Sequence, residues 1–370
     1  MDTSKFINTV TCTSTMPGVG DAEVTDAERI MARKMGHHLF GDLANYKGFP
    51  ETLPSDEPSV PPEIGSYRIF EYPMPATQQP YKVNGDEFTQ SRLTALYSQD
   101  RVGQLPGEHT MVVAVSATVS TSNEALDDRP INDNERVAIY MPGGGFIKSD
   151  NPSFKLAYIR MSQEMGMRVF VPRYHVAPAH IYPRPVHDVY TALQHLESQG
   201  FRPENIVIVG VSAGANICLA VLQLLAAEGK SQRIAGCVIA EPFLDLTMSH
   251  DSWQRNKHVC AIPYVPPTSP WSMSRFYLGP VDNSFDPVEI LRRPMLSPIS
   301  ADVSVLPPLQ IQVGCDDVMH DSCVEFAARV PSAELITYEG INHYTMFRGR
   351  TQLDRYYGNL RRFADKVTTA

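Results

Sequence analysis

The stretch Val207-Ile208-Val209-Gly210-Val211-Ser212-Ala213-Gly214-Ala215 decides the reading of this chain. A β-branched apolar run, Ile206 to Val209, stops at Gly210. An apolar segment with helical spacing follows at once through Ile217, Leu219, Ala220, Leu222, Leu224 and Leu225. The pattern is strand, sharp turn, helix, with Ser212 at the tip. Such a turn lifts a serine hydroxyl out of the C-terminal edge of a sheet, and the helix N-terminus behind it favours developing negative charge. The flanking Gly210 and Gly214 are expected to allow the strained backbone that pushes the serine hydroxyl out.

Outward from this turn the chain alternates. Short apolar runs at 136–141, 168–172, 205–210, 234–240, 308–313 and 334–338 are separated by helical periodicity at 153–165, 184–198, 214–228, 321–330 and 351–366. Alternation of this kind predicts a mostly parallel, twisted sheet with helices on both faces. Residues 248–300 interrupt it with Trp253, Tyr264, Trp271, Phe276 and Tyr277 among many prolines, and are expected to form an inserted cap. Earlier in the chain, residues 1–20 are expected to be poorly ordered. Thr25-Asp26-Ala27-Glu28 has the capping-box pattern and opens a helix, so 21–65 is read as a helical cap contribution and 66–370 as the main domain. Segments 67–72 and 109–119 alternate like strands, 49–63 reads as an extended connection and 121–134 as an exposed loop.

The bulk properties exclude several function classes. With 370 residues, 43% of them apolar, the chain can bury one large α/β core. A net charge of −9 without a basic run argues against nucleic acid or an anionic membrane as partner. No apolar stretch reaches membrane-spanning length, and the polar N-terminus lacks a signal-peptide core. The six cysteines show no Cys-x-x-Cys spacing and read as free thiols in a reducing, cytoplasmic compartment. A homodimer is left open.

A serine nucleophile needs a base, an acid that orients it and an oxyanion hole. In chain order an acid and then a histidine should follow Ser212. Leu309 to Gly314 is a late strand, and Asp316 and Asp317 lie on the loop behind it. Both compete for the acid, while Asp321 reads as a helix cap. Leu335 to Tyr338 is the last strand, and His343 lies on the loop that follows. His320 is nearer the acids but falls on a helix. Upstream, Gly143-Gly144-Gly145 ends an early strand and offers main-chain amides free of side-chain obstruction, with the Ala213 N–H as a further oxyanion donor.

These blocks resemble the hormone-sensitive-lipase-like carboxylesterases of the α/β-hydrolase fold. The resemblance covers residue 136 to the C-terminus. Gly143-Gly144-Gly145-Phe146 is similar to the family's His-Gly-Gly-Gly-Phe loop. Tyr174 to Pro183 is similar to its Tyr-Arg-Leu-Ala-Pro-Glu-His segment, with Asp188 on a family aspartate beyond it. Pro242-Phe243-Leu244-Asp245-Leu246-Thr247, Leu296-Ser297-Pro298 and Leu306-Pro307-Pro308 are further matches. The family's acid stands four residues before an aspartate, which selects Asp317 (four before Asp321) over Asp316. What the resemblance implies is ester hydrolysis by Ser212, His343 and Asp317, with amides of Gly144, Gly145 and Ala213 as oxyanion donors, without metal or cofactor. The expected substrate is a small apolar ester. Two departures stand out. Pro142 replaces the family's loop histidine, and Val211 replaces a polar residue before the nucleophile; both remove hydrogen bonds. Two rivals keep the fold. The same site could run an elimination, a lactonisation or cyclisation of a secondary metabolite, or amide cleavage. A non-catalytic ligand-binding protein is the third reading, and His343 argues against it.

Overall fold

The run that ends at Ser212 lies near the centre of an eight-stranded sheet. The computed structural model describes residues 67–73, 110–116, 134–148, 152–177, 180–269, 271–279, 281, 285–343 and 350–368. The expectations for 1–20, 21–65, 49–63 and nearly all of 121–134 fall outside these residues.

The strands are β1 (Tyr67–Pro73), β2 (Thr110–Ser116), β3 (Val137–Met141), β4 (Arg168–Pro172), β5 (Ile206–Val211), β6 (Gly236–Ala240), β7 (Leu309–Gly314) and β8 (Ala333–Tyr338). Their order across the sheet is β1-β2-β4-β3-β5-β6-β7-β8. β2 runs antiparallel to β1 and to β4, and every other pair is parallel. The helices are α1 (Pro152–Met165), α2 (Arg184–Ser198), α3 (Ala213–Ala227), α4 (Ser252–Arg255), α5 (Met273–Leu278), α6 (Pro287–Leu291), α7 (His320–Arg329) and α8 (Arg350–Val367). Among the described residues no helix is long and apolar enough to cross a membrane.

The strand sequences explain the layering. Side chains alternate across a strand, and β5 divides cleanly: Ile206 and Ile208 join one core with α2, α3 and α7, while Val207, Val209 and Val211 join a second with α1 and α8. Every residue of β3 to β7 is buried, which is the signature of a parallel sheet covered on both faces. β7 reads Leu-Gln-Ile-Gln-Val, a pattern that in an open sheet would turn its glutamines to water. Here Gln310 and Gln312 are fully buried and bonded to one another at 2.8 Å. Tyr338 Oη donates to Gln312 Oε1, and Asn359 Nδ2 of α8 donates to Tyr338 Oη. The polar side of β7 is therefore satisfied internally, as burial requires.

Between β6 and β7 the described residues form the short helices α4 to α6 and a 3₁₀ turn at Pro298–Ser300. Trp253 packs on Phe243, and the Tyr277 ring stacks on Phe146 at 3.9 Å. This segment thus lies over the loops that leave β6 and β3.

Candidate active site

Five loops leave the C-terminal ends of β3, β5, β6, β7 and β8, the edge at which open α/β sheets assemble their sites. The turn after β5 is the tightest. Ser212 has φ 53° and ψ −119°, a left-handed conformation that non-glycine residues adopt at a cost of about 1–2 kcal/mol. The strain therefore sits on the serine itself. The glycines serve close approach instead. A Cβ on Gly210 would stand 2.5 Å from Cys218 Sγ and 2.7 Å from the Ala215 Cα, and one on Gly214 would strike the carbonyl oxygens of Met141 and Pro142. Removing both side chains lets α3 start against the strand and against the β3 loop. Asn216 Nδ2 then donates to the Phe243 and Leu296 carbonyls, tying α3 to the neighbouring loops.

The structure brings Ser212, His343 and Asp317 together. His343 Nε2 is 3.1 Å from Ser212 Oγ, and His343 Nδ1 is 2.8 Å from Asp317 Oδ2. His343 and Asp317 are fully buried and Ser212 is 3% exposed. The other Asp317 oxygen accepts from the Met319 N–H at 3.0 Å, so the carboxylate is fixed at both ends. Asp316 is only half-buried; its backbone N–H goes to the Ile341 carbonyl. His320 starts α7 and pairs with Asp321, away from the serine. Asp321 is not the cap expected of it. Its carboxylate reaches across to Arg255 at 2.7 Å, and the N-terminus of α7 has no side-chain cap.

The acid and base loops are held by the segment after β6. Ser252 Oγ donates to the Val318 carbonyl, Asn256 Nδ2 donates to the Asp317 carbonyl, and Asn342 Nδ2 donates to the Val259 carbonyl. Burial alone would strip a proton from His343. The charges of Asp317 and Glu241 and the Asp317 hydrogen bond outweigh it and raise its pKa above the usual 6.5.

The glycine loop lies directly against the serine: a Cβ on Gly143 would stand 3.1 Å from Ser212 Cβ. Gly144 (φ 144°) and Gly145 (φ 59°) adopt backbone that other residues rarely take, and Phe146 follows at φ 64°. Ala213 is the first residue of α3, so its N–H belongs to the helical turn that lacks intrahelical acceptors. The loop carrying Pro142 has a brace that the sequence did not reveal. Tyr174 Oη donates to the Pro142 carbonyl at 2.5 Å. Tyr174 is in turn held by its neighbour His175, whose N–H and Nδ1 both reach Asp188 at 2.8 Å. Burial disfavours the Asp188 charge, but the His175 hydrogen bonds and the His175 and Arg184 charges overcome it and hold the carboxyl at about 2.

One residue of the site was missed altogether. Glu241, just beyond β6, is fully buried with its Oε2 3.7 Å from His343 Nδ1. The only signal in the sequence is an acid directly after the apolar run Cys237 to Ala240. Glu241, Asp317 and His343 each bring an atom of metal-ligand type within 4.8 Å of the others. Their geometry is that of a hydrogen-bonded relay. Two ligands of a tetrahedral zinc, each about 2.1 Å from the ion, stand roughly 3.4 Å apart, whereas His343 Nδ1 and Asp317 Oδ2 are in donor–acceptor contact at 2.8 Å.

Comparison with known proteins follows the same residues. A family model described as the alpha/beta hydrolase fold matches residues 138–347. The chain is similar to an esterase of Acinetobacter venetianus, 26% identical over 217 residues that make up 57% of this chain and 68% of that protein. It is also similar to an acetyl-hydrolase of Streptomyces hygroscopicus, 30% identical over 52% of this chain and 61% of the relative. The matched region thus spans two thirds or less of most of these relatives' own length. A crystal structure of an esterase from the bacterial hormone-sensitive lipase family superposes with a TM-score of 0.58 at 23% identity, covering 70% of this chain and 80% of the other.

Proposed function

The chain belongs to the alpha/beta hydrolase fold family, and we propose that it is a serine hydrolase that cleaves a carboxylic ester through an acyl-enzyme. The observation that carries this reading is the unbroken relay Ser212 Oγ–His343 Nε2, His343 Nδ1–Asp317 Oδ2, at 3.1 and 2.8 Å. Ser212 Oγ attacks the ester carbonyl while its proton passes to His343 Nε2. The Nδ1 proton stays on the imidazole and is donated to the Asp317 carboxylate, which fixes the tautomer and stabilises the imidazolium. The tetrahedral oxyanion is received by backbone N–H groups of the Gly143–Gly145 loop and of Ala213; losing one such donor typically lowers rate by about 10²–10³. The Nε2 proton then goes to the departing alkoxide, and a water repeats the cycle on the acyl-enzyme.

A small apolar acyl group suits the surroundings. Phe243 donates its backbone N–H to the Ser212 carbonyl, and its ring lies in a continuous aromatic group with Phe146, Tyr277 and Trp253. The similarity to an esterase and an acetyl-hydrolase supports the same substrate class. The test is turnover of short-chain aryl esters by the wild type and by Ser212→Ala. Turnover that vanishes in a folded Ser212→Ala variant supports the reading. Turnover that persists rejects it.

A further inference from the structure

Glu241 occupies a costly position. It is a fully buried acid whose backbone sits at φ 47°. Non-glycine residues held in that region are strained, and such strain gathers at functional sites. Its N–H is tied to the Gln312 carbonyl at 2.7 Å, which fixes the residue between the ends of β6 and β7. From there its carboxylate faces the same imidazole nitrogen as Asp317. The two oxygens stand 3.7 and 2.8 Å from His343 Nδ1.

We propose that Glu241 is a positioning residue of the relay, a second carboxylate that shares the Nδ1 face of His343 with Asp317. The inference rests on the serine-hydrolase reading above. Asp317 makes the hydrogen bond. Glu241 moves no proton: it contributes its charge when the serine proton arrives at Nε2 and the imidazolium forms. Proton accounting is unchanged, since the proton taken from Ser212 Oγ leaves on the alcohol.

The other titratable groups around this cluster do not supply the charge. Cys260 lies with its Sγ 3.8 Å from Asp317 Oδ1, Cys323 faces it from α7, and Tyr356 faces Glu241 from α8. Burial first, and then Asp317 for the two cysteines and the neighbouring tyrosines for Tyr356, raise all three well above their ordinary values, so they are neutral in the working range. Two carboxylates therefore act on one base. The base works only when neutral, so holding its proton more tightly moves the acid limb of activity to higher pH.

The experiment is the pH dependence of kcat/KM on a short-chain aryl ester for the wild type, Glu241→Gln, Glu241→Asp, Asp317→Asn and the double variant Glu241→Gln/Asp317→Asn, with Ser212→Ala as the zero and thermal unfolding as the check of fold. A carboxylate at this range shifts a neighbouring group by about one pH unit or more. Glu241→Gln should move the acid limb down by about that much, and Glu241→Asp should return it towards the wild-type position. Asp317→Asn should keep activity that the double variant lacks, because Glu241 still faces Nδ1. An acid limb unmoved in a folded Glu241→Gln overturns the proposal. Should Glu241→Gln fail to fold, Asp317→Asn decides alone. A loss near 10²-fold supports the second carboxylate, and the full loss of about 10⁴ expected when a lone acid is removed overturns it. An active Ser212→Ala strikes the underlying hydrolase reading, which separates that failure from this one.

Discussion

Tyr174→Phe removes one oxygen atom and tests whether the glycine loop needs an external brace. The hydroxyl is the donor to the Pro142 carbonyl at 2.5 Å, and the side chain is 1% exposed. Taking a donor from a buried carbonyl without replacement costs about 1–3 kcal/mol. The phenylalanine ring fills the same space otherwise, so little packing is lost. That carbonyl belongs to the residue before Gly143, Gly144 and Gly145. A loop that relaxes there moves the amides proposed to receive the oxyanion. If most of the lost energy appears in the transition state, kcat falls by about 10- to 100-fold at about 1.4 kcal/mol per decade. KM should change little, because the oxyanion contacts form only as the tetrahedral intermediate forms. The assay is steady-state kinetics on a short-chain aryl ester beside a melting curve. A variant that melts lower yet keeps wild-type kcat would show that no such brace acts in catalysis, the loop then being set by Pro142 and its glycines alone.

Three more outcomes follow from the same contacts. Asp317→Asn should lose far more kcat/KM than Asp316→Asn, because only Asp317 touches His343; a larger loss at Asp316 reverses the assignment. Pro142→His should lower both kcat and melting temperature, because it frees a φ that proline fixes in a loop already braced through its carbonyl by Tyr174; a gain in activity at unchanged melting temperature contradicts this. Asp188 is held at about 2 against an ordinary 3.8. Its folded pKa is depressed, so its contribution is present above about pH 4 and is lost as pH falls towards about 2; at 1.36 kcal/mol per unit it amounts to about 2 kcal/mol. Asp188→Asn should cost about that much at neutral pH and flatten the acid denaturation curve in that window, as urea melts at a series of pH values would show.

Much of this was legible in the sequence because two periods meet at Ser212. The β-branched apolar run stops at Gly210 and helical spacing follows Ser212, and a strand-to-helix turn accommodates both. The acid was not legible from residues alone, since Asp316 and Asp317 both follow β7; spacing within the family pattern selected Asp317, and the geometry places Asp317 on the imidazole. What the sequence misled on is physical in each case. The glycines' part in the elbow was read as conformational freedom, whereas Gly210 and Gly214 give space and Ser212 holds the left-handed backbone. Asp321 looked like a cap because acids favour first turns, and a cation distant in sequence, Arg255, claimed it. Glu241 and the Tyr174 brace were invisible because each depends on strand order. Only the sheet order β6-β7-β8, and the placement of β3 beside β4, brings Glu241 to His343 and Tyr174 to Pro142.

The most direct measurement is covalent trapping with a serine-directed phosphonate, read by mass spectrometry of the digested protein. One equivalent of adduct is expected on the peptide carrying Ser212, formed as esterase turnover is lost, and no adduct on the folded Ser212→Ala protein. Stoichiometric labelling of a different residue, or labelling that leaves turnover untouched, would contradict it.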